Sequence, residues 1–410
     1  MVRRVYSRFS FLPAVAGLFG IGALTAAYFG MPLLTETVYT SDVGLSQVSQ
    51  TVKAVIPAVT HLPTPQAVRA LYMTSCVVGT PTVRESLVRI AKETEINSMV
   101  IDIKDFSGTI SFKTGNPLFS GVEITRCGAS DMYDFIKMLH EEGIYVIGRI
   151  TVFQDPEYTK AHPEEAVQSV SREGPWKDHK GLSFVDVSSR PFWEYIVALA
   201  QISYTEMGFD ELNFDYVRYP SDGPMEDARY QNPHKAEALE TFFKYLHEQM
   251  APIGVVLSAD VFGMTTTNED DLNIGQVLER TIPYFDYVAP MVYPSHYPAG
   301  FNGWSNPNNH VYDVVRFSMD EAVRRLLSTT TPVTAFMHIP IASTTPQLYE
   351  KFLYDKLKLR PWLQDFDYGG DYGPKEVRAQ MQAVYDTGLD SWMLWSPSNK
   401  YTVEALTPEP

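Results

Sequence analysis

The 410-residue chain carries 49 acidic against 33 basic side chains, a formal net charge of −16, and has no basic patch, which argues against a nucleic-acid partner. At 45% hydrophobic residues it readily supplies a sizeable core. No Cys/His spacing suggests zinc, and neither a metal nor an organic cofactor is expected.

The N-terminus differs in kind from the rest. Arg3, Arg4 and Arg8 precede a stretch from Phe9 to Thr35 without a charged residue. A basic flank before a long apolar run is the pattern of a secretory signal or a single membrane anchor over residues 1–35. The positive-inside rule then puts the remainder outside the cytoplasm, extracellular or at the cell surface. Residues 36–66, rich in Thr, Val, Ser and Pro, read as a linker.

From residue 67 to residue 403, eight apolar strand-like runs recur: 67–75, 98–105, 145–153, 209–220, 255–263, 287–297, 333–340 and 391–401. Helical patterns lie between most of them. This alternation predicts an α/β fold, one (β/α)8 TIM barrel with long βα loops, followed by a tail over 404–410. In such a barrel the active site gathers at the C-terminal strand ends.

The helix signals agree with that count. Met132, Phe135, Ile136 and Leu139 recur at helical spacing ahead of Gly143. Pro191 opens a helix that Gly208 closes. Ser318 with Glu321 forms a capping box before residues 322–327. Pro374 and Gly388 bound the last helix. Cys76 and Cys127 map near neighbouring strand ends, either as a disulfide in an oxidising compartment or as two unpaired small apolar residues.

Three connections, 154–187, 298–317 and 341–373, are long, and together they carry Trp176, Trp304, Trp362, Tyr368 and Tyr372 among amides and carboxylates. Aromatic faces beside polar groups suit sugar rings, and the same residues could simply pack the loops down. Alternation along the strands sharpens the chemistry. Glu211, Asn213 and Asp215 share one face of strand 4, and Ser258 and Asp260 share one face of strand 5. Polar side chains on a barrel strand are costly unless they meet solvent, partners or ligand. Asp215 and Asp260, on adjacent strands, could flank one scissile bond as the two carboxylates of a glycosidase.

Arg149, on strand 3, would hold Asp215 ionised, which favours Asp215 as nucleophile and Asp260 as acid. Asp215 could instead serve as a hydrogen-bonded partner of Arg218 or of a loop amide. Asp102 and Lys104 share a face of strand 2 with Asp105 at its tip. Lys104 could support Schiff-base chemistry, but beside two aspartates an ion-paired positioning role is preferred. Strand 6 offers Tyr293 and His296, the seventh run His338, and strand 8 Trp395. The expected substrate-binding set is Asp102, Lys104, Asp105, Arg149, Asn213, Arg218, Tyr293, His296, Trp304, His338, Trp362 and Trp395.

The segments VIDIKDFSG (100–108), IGRITVFQDP (147–156), GFDELNFDYVRYP (208–220), LSADVFG (257–263), YVAPMVYPSHY (287–297), RPWLQDF (360–366) and SWMLWSPSNKYT (391–402) resemble a glycoside-hydrolase domain family of exported bacterial TIM-barrel proteins. The resemblance covers residues 67–403. It implies a TIM barrel, a carbohydrate substrate and an acidic site after strand 4, where Asp215 matches the nucleophile position of amylase-like barrels. Those relatives often carry a glutamate after strand 5, where this chain has Asp260. The expected function is hydrolysis of a polysaccharide or oligosaccharide. The alternative is a catalytically inactive carbohydrate-binding barrel tethered to the cell envelope.

Overall fold

A computed structural model describes residues 59–408. The expected signal or anchor segment, and the linker up to residue 58, lie outside the described residues. Among the described residues no helix is long and apolar enough to cross a membrane.

Eight parallel strands close a barrel in sequence order: β1 Arg69–Met73, β2 Ser98–Lys104, β3 Tyr145–Thr151, β4 Glu211–Asp215, β5 Val256–Phe262, β6 Tyr287–Met291, β7 Trp362–Gln364 and β8 Trp392–Trp395. Around them run α1 Pro81–Glu93, α2 Met132–Glu141, α3 Arg190–Ile202, α4 Lys235–Met250, α5 Val311–Leu326 and α6 Pro374–Asp386. Alternation sorts the side chains into two apolar layers. Ile101, Ile103, Ile150, Leu212, Phe214 and Val261 point outward into the main core beneath the helices. Ala70, Tyr72, Val100, Ile147, Ala289 and Met393 belong to a smaller inner cluster.

The local signals explain the helix limits. Ser189 caps α3 by accepting from the Phe192 N–H, Pro191 opens it, and Gly208 ends the following turn at φ 91°. α6 begins at Pro374 and stops before Gly388 at φ 74°. The crossover between β5 and β6 contains the short α-helix Leu278–Thr281 and the 3-10 turns Gly263–Thr266 and Ile282–Tyr284 in place of a long helix. A segment between α5 and β7 reaches this region: the Phe336 N–H donates to Glu240 of α4 at 2.9 Å, and Glu240 pairs with Arg280 at 2.8 Å.

That segment corrects the seventh strand. The run 333–340 is not in the barrel. Only Ile339–Pro340 is extended, in a small antiparallel sheet, and Phe336, Met337 and Ile339 are exposed. The barrel strand is Trp362–Gln364, too short to show a period, yet buried along its whole length. The expected loop 341–373 therefore contains β7, and the last seven residues of 298–317 are not loop, because α5 begins at Val311. Ser318 lies inside α5 rather than at its start, buried, with its hydroxyl against that of Tyr297 at 2.9 Å, so the capping box does not form.

The last residues of the expected linker lie against the barrel's N-terminal end. The Leu62 N–H donates to Asp210 at 2.7 Å, Thr64 meets the Tyr145 hydroxyl at 3.0 Å, and His61 stacks on Tyr204. Cys76 and Cys127 are joined as a disulfide.

Candidate active site

Charge inside the barrel rises in tiers along β4. At the bottom, Glu211 accepts two bonds from Arg360, at 2.8 and 2.9 Å, and one from the Ser258 hydroxyl at 2.6 Å. One step up, the Asn213 amide donates to Ser258 at 3.1 Å and to Asp260 Oδ1 at 2.9 Å. At the top, Asp215 reaches the open mouth. The polar face expected from alternation is thus the barrel's inner face, and its lower members bond one another, leaving Asn213 Oδ1 and Arg360 Nε without a partner among the described residues.

Three carboxylates converge on one guanidinium. Arg149 Nη1 donates to Asp102 at 2.7 Å, Nη2 donates to Asp215 Oδ2, and Nε lies 3.8 Å from Asp260 Oδ2. Asp215 Oδ1 also accepts from the Tyr216 N–H at 2.5 Å. Asp102, bonded by the Tyr72 hydroxyl at 2.6 Å, sits beneath, and burial pushes its carboxyl up to about 6 against the pull of Arg149. Asp260 is held on Oδ1 by Asn213 and by the Trp362 indole N–H at 2.7 Å. Burial, and then the charge of Asp215, raise the Asp260 carboxyl well above the ordinary carboxylate range, outweighing Arg149 and both hydrogen bonds. One cation is thus shared among three enclosed carboxylates, and burial raises two of them, Asp102 and Asp260.

Above this cluster opens a cavity of about 580 Å³, lined by Asp215, Asp260, Arg149, Arg218, Tyr293, His296, Trp362 and Trp395 of the expected set. The buried Tyr293 hydroxyl has no protein partner among the described residues, and a buried donor left free at a cavity wall is available to a ligand. Burial keeps that phenol protonated and the imidazole of His296 neutral.

The other expected residues do different work. Asp102 and Asn213 lie below the cavity and orient Arg149 and Asp260. Lys104 is turned away, because an irregularity in β2 breaks its alternation with Asp102. Sealed from solvent, it pairs with Asp155 at 2.8 Å and donates to the Thr151 carbonyl at 2.6 Å. Its ammonium is thus committed to Asp155 rather than to Asp102 or Asp105, and it does not line the cavity. Asp105 caps its own loop through Ser107 and receives the Ser75 hydroxyl at 2.8 Å. Trp304 stacks on His310 outside the cavity, and His338 bonds the Val333 carbonyl at 2.8 Å in the small outer sheet.

Loop aromatics prove mostly structural. Trp176 is fully buried with its indole N–H on the Pro224 carbonyl, and the Tyr372 hydroxyl bonds Asn308. Trp362 does line the cavity, but from β7 rather than from a loop. Sequence reasoning missed Phe106, Asp178, Asp222, Phe262 and Tyr216. Strict alternation puts Tyr216 outside the barrel. The backbone instead turns at φ 51°, a strained value for an aromatic residue, and swings its ring to the cavity. No periodic signal announces such a turn.

A family model described as a putative glycosyl hydrolase domain matches residues 70–401. Among solved structures, the glycoside hydrolase domain of PgaB (BpsB) from Bordetella bronchiseptica is 13% identical, with a TM-score of 0.55, covering 84% of this chain and 100% of that one. At that identity the likeness shows the barrel fold alone. A hypothetical protein from Ruminiclostridium thermocellum is 34% identical over 47% of this chain and 97% of its own, with a TM-score of 0.42. A chitinase from Chromobacterium violaceum is 12% identical over 83% of this chain and 96% of its own, with a TM-score of 0.44. No curated protein matches the chain.

Proposed function

The chain belongs to the putative glycosyl hydrolase domain family, and from that premise we propose that its barrel mouth cleaves a glycosidic bond in a polysaccharide or oligosaccharide. The observation that carries this reading is the unequal pair of acids at the cavity floor. Asp215 is hydrogen-bonded by Arg149 and by a backbone N–H at the edge of the cavity. Asp260 is enclosed and pushed toward its protonated form. Of two carboxylates so differently placed, the enclosed one suits the acid and the one bonded to a guanidinium suits the nucleophile.

In the reaction we propose, Asp260 gives its proton to the leaving oxygen as the C–O bond breaks. Asp215 bonds the anomeric carbon as positive charge develops there. Water, giving a proton back to Asp260, then releases the sugar from Asp215 and restores both groups. Asn213 and Trp362 hold one oxygen of Asp260 so that the other faces the cavity.

Asp215→Asn keeps the shape and removes the charge, so it should fold normally and lose turnover by about a thousandfold or more. Release of reducing ends from a panel of glycans is the measurement. Wild-type rates in the variant would overturn the role of Asp215. Retention of glycans that neither protein cleaves would identify a binding barrel instead.

We further propose that the barrel works outside the cytoplasm. The basic flank and uncharged stretch up to Thr35 support export, and so does the Cys76–Cys127 pair.

A further inference from the structure

The four enclosed arginines of the described chain each face a carboxylate: Arg149 meets Asp102 and Asp215, Arg280 meets Glu240, Arg325 meets Glu279, and Arg360 meets Glu211. Arg218 lines the cavity and does not. Among the described residues its only hydrogen bonds leave from Nη1, to the Tyr219 carbonyl at 3.0 Å and the Ser221 hydroxyl at 3.1 Å. Among the described residues no carboxylate lies within ion-pair distance of it. The acids that share the cavity wall are otherwise engaged. Asp178 accepts the Lys180 and Leu182 N–H groups at 2.8 Å, and Asp222 lies 3.8 Å from His179.

Aromatic rings fix the guanidinium in position, with its central carbon 4.8 Å from the centroid of Tyr216, 4.9 Å from Phe262 and 5.8 Å from Phe184. Burial opposes the charge of this group and outweighs the support of Asp215, Asp222 and Asp178, none of which is within ion-pair distance, so an anion in direct contact would relieve that opposition. The edge formed by Nε and Nη2 remains without a protein acceptor, and that edge matches a planar carboxylate bidentately. A cation oriented in advance at a binding cavity, with no carboxylate in contact among the described residues, marks where a ligand brings negative charge.

We propose that Arg218 receives a carboxylate of the glycan, so that the substrate is an acidic polysaccharide containing uronic-acid residues. This inference rests on the glycosidase reading for its substrate, while the recognition itself needs no bond cleavage. Lys180, also on the cavity lining and without an ion-pair partner among the described residues, adds positive charge nearby.

The test presents the full chain with polygalacturonate, alginate and hyaluronan, with the carboxyl-reduced form of each, and with dextran sulfate. Binding is followed by affinity electrophoresis and cleavage by reducing ends. At least one acidic polymer is expected to bind about tenfold or more tightly than its reduced form. Arg218→Lys and Arg218→Gln should lose about 10- to 100-fold on that polymer, the loss of a bidentate charge-assisted pair. Circular dichroism confirms that each variant is folded.

Equal use of acidic and carboxyl-reduced polymers, absence of binding to every acidic polymer, or a folded Arg218→Gln that loses nothing would each overturn the proposal. A preference for dextran sulfate over every carboxylate would assign Arg218 to a sulfate ester and overturn it as stated. Arg218-dependent retention of an acidic polymer without release of ends would end the hydrolase reading while upholding this one.

Discussion

Asp260 holds its proton for reasons that mutation can separate. Enclosure is the largest, and the neighbouring Asp215 carboxylate adds to it. Since the working form of the acid is the protonated one, turnover should persist above the ordinary carboxylate range and fall as pH rises through the raised value. Asp260→Asn should abolish that basic limb together with most activity on natural glycans. It should spare cleavage of an aryl glycoside whose leaving group needs no proton, and a pH–rate series on both substrate types checks this. Equal losses on the two substrates would remove Asp260 from the proton-donor role. The same alternation that singled out Asp215 and Asp260 from their strands also offered Asp102 and Asn213, which lie one tier lower. Spacing along a strand reports which face a side chain takes, and the tier that meets solvent depends on where neighbouring strands end.

At the scale of elements, Lys104 joins the end of β2 to the end of β3 and to Asp155, the cap of the short helix Pro156–Ala161. Both charges are wholly buried, so removing one strands the other. Lys104→Met should cost about 3–5 kcal/mol of stability, read by denaturant unfolding. A loss below 1 kcal/mol would mean that Asp155 is not held as an ion pair. The alternation rule assigned Lys104 to the cavity because it assumes a regular ladder, and one irregularity between Asp102 and Lys104 reverses the outcome. β7 escaped for a related reason. Three residues cannot display a period, whereas the longer apolar run at 333–340 can, and it is spent on a surface sheet.

For the whole molecule, export and the disulfide make one joint expectation. Protein recovered from its native cells and alkylated without reductant should have Cys76 and Cys127 blocked from labelling. Double substitution by alanine should lower stability by about 2–4 kcal/mol, because the bond closes a loop of 51 residues. Two free thiols in the native protein would contradict a location outside the cytoplasm. The descent of residues 61–64 onto the barrel's closed end adds contacts that a free linker would lack, with Leu62 on Asp210 and His61 on Tyr204.

Taken alone, the chain of residues determined the barrel and most of its strands, along with the polar inner face of β4 and β5. Each of these follows from side-chain order within a few consecutive positions, and burial of apolar faces acts on that order directly. Only the tertiary structure decided which seventh run enters the barrel and which carboxylates share Arg149. It also decided that Lys104 points away while Tyr216 turns in, and that among the described residues no carboxylate contacts Arg218. Those outcomes depend on residues far apart in sequence, whose charges and rings meet only once the barrel has closed.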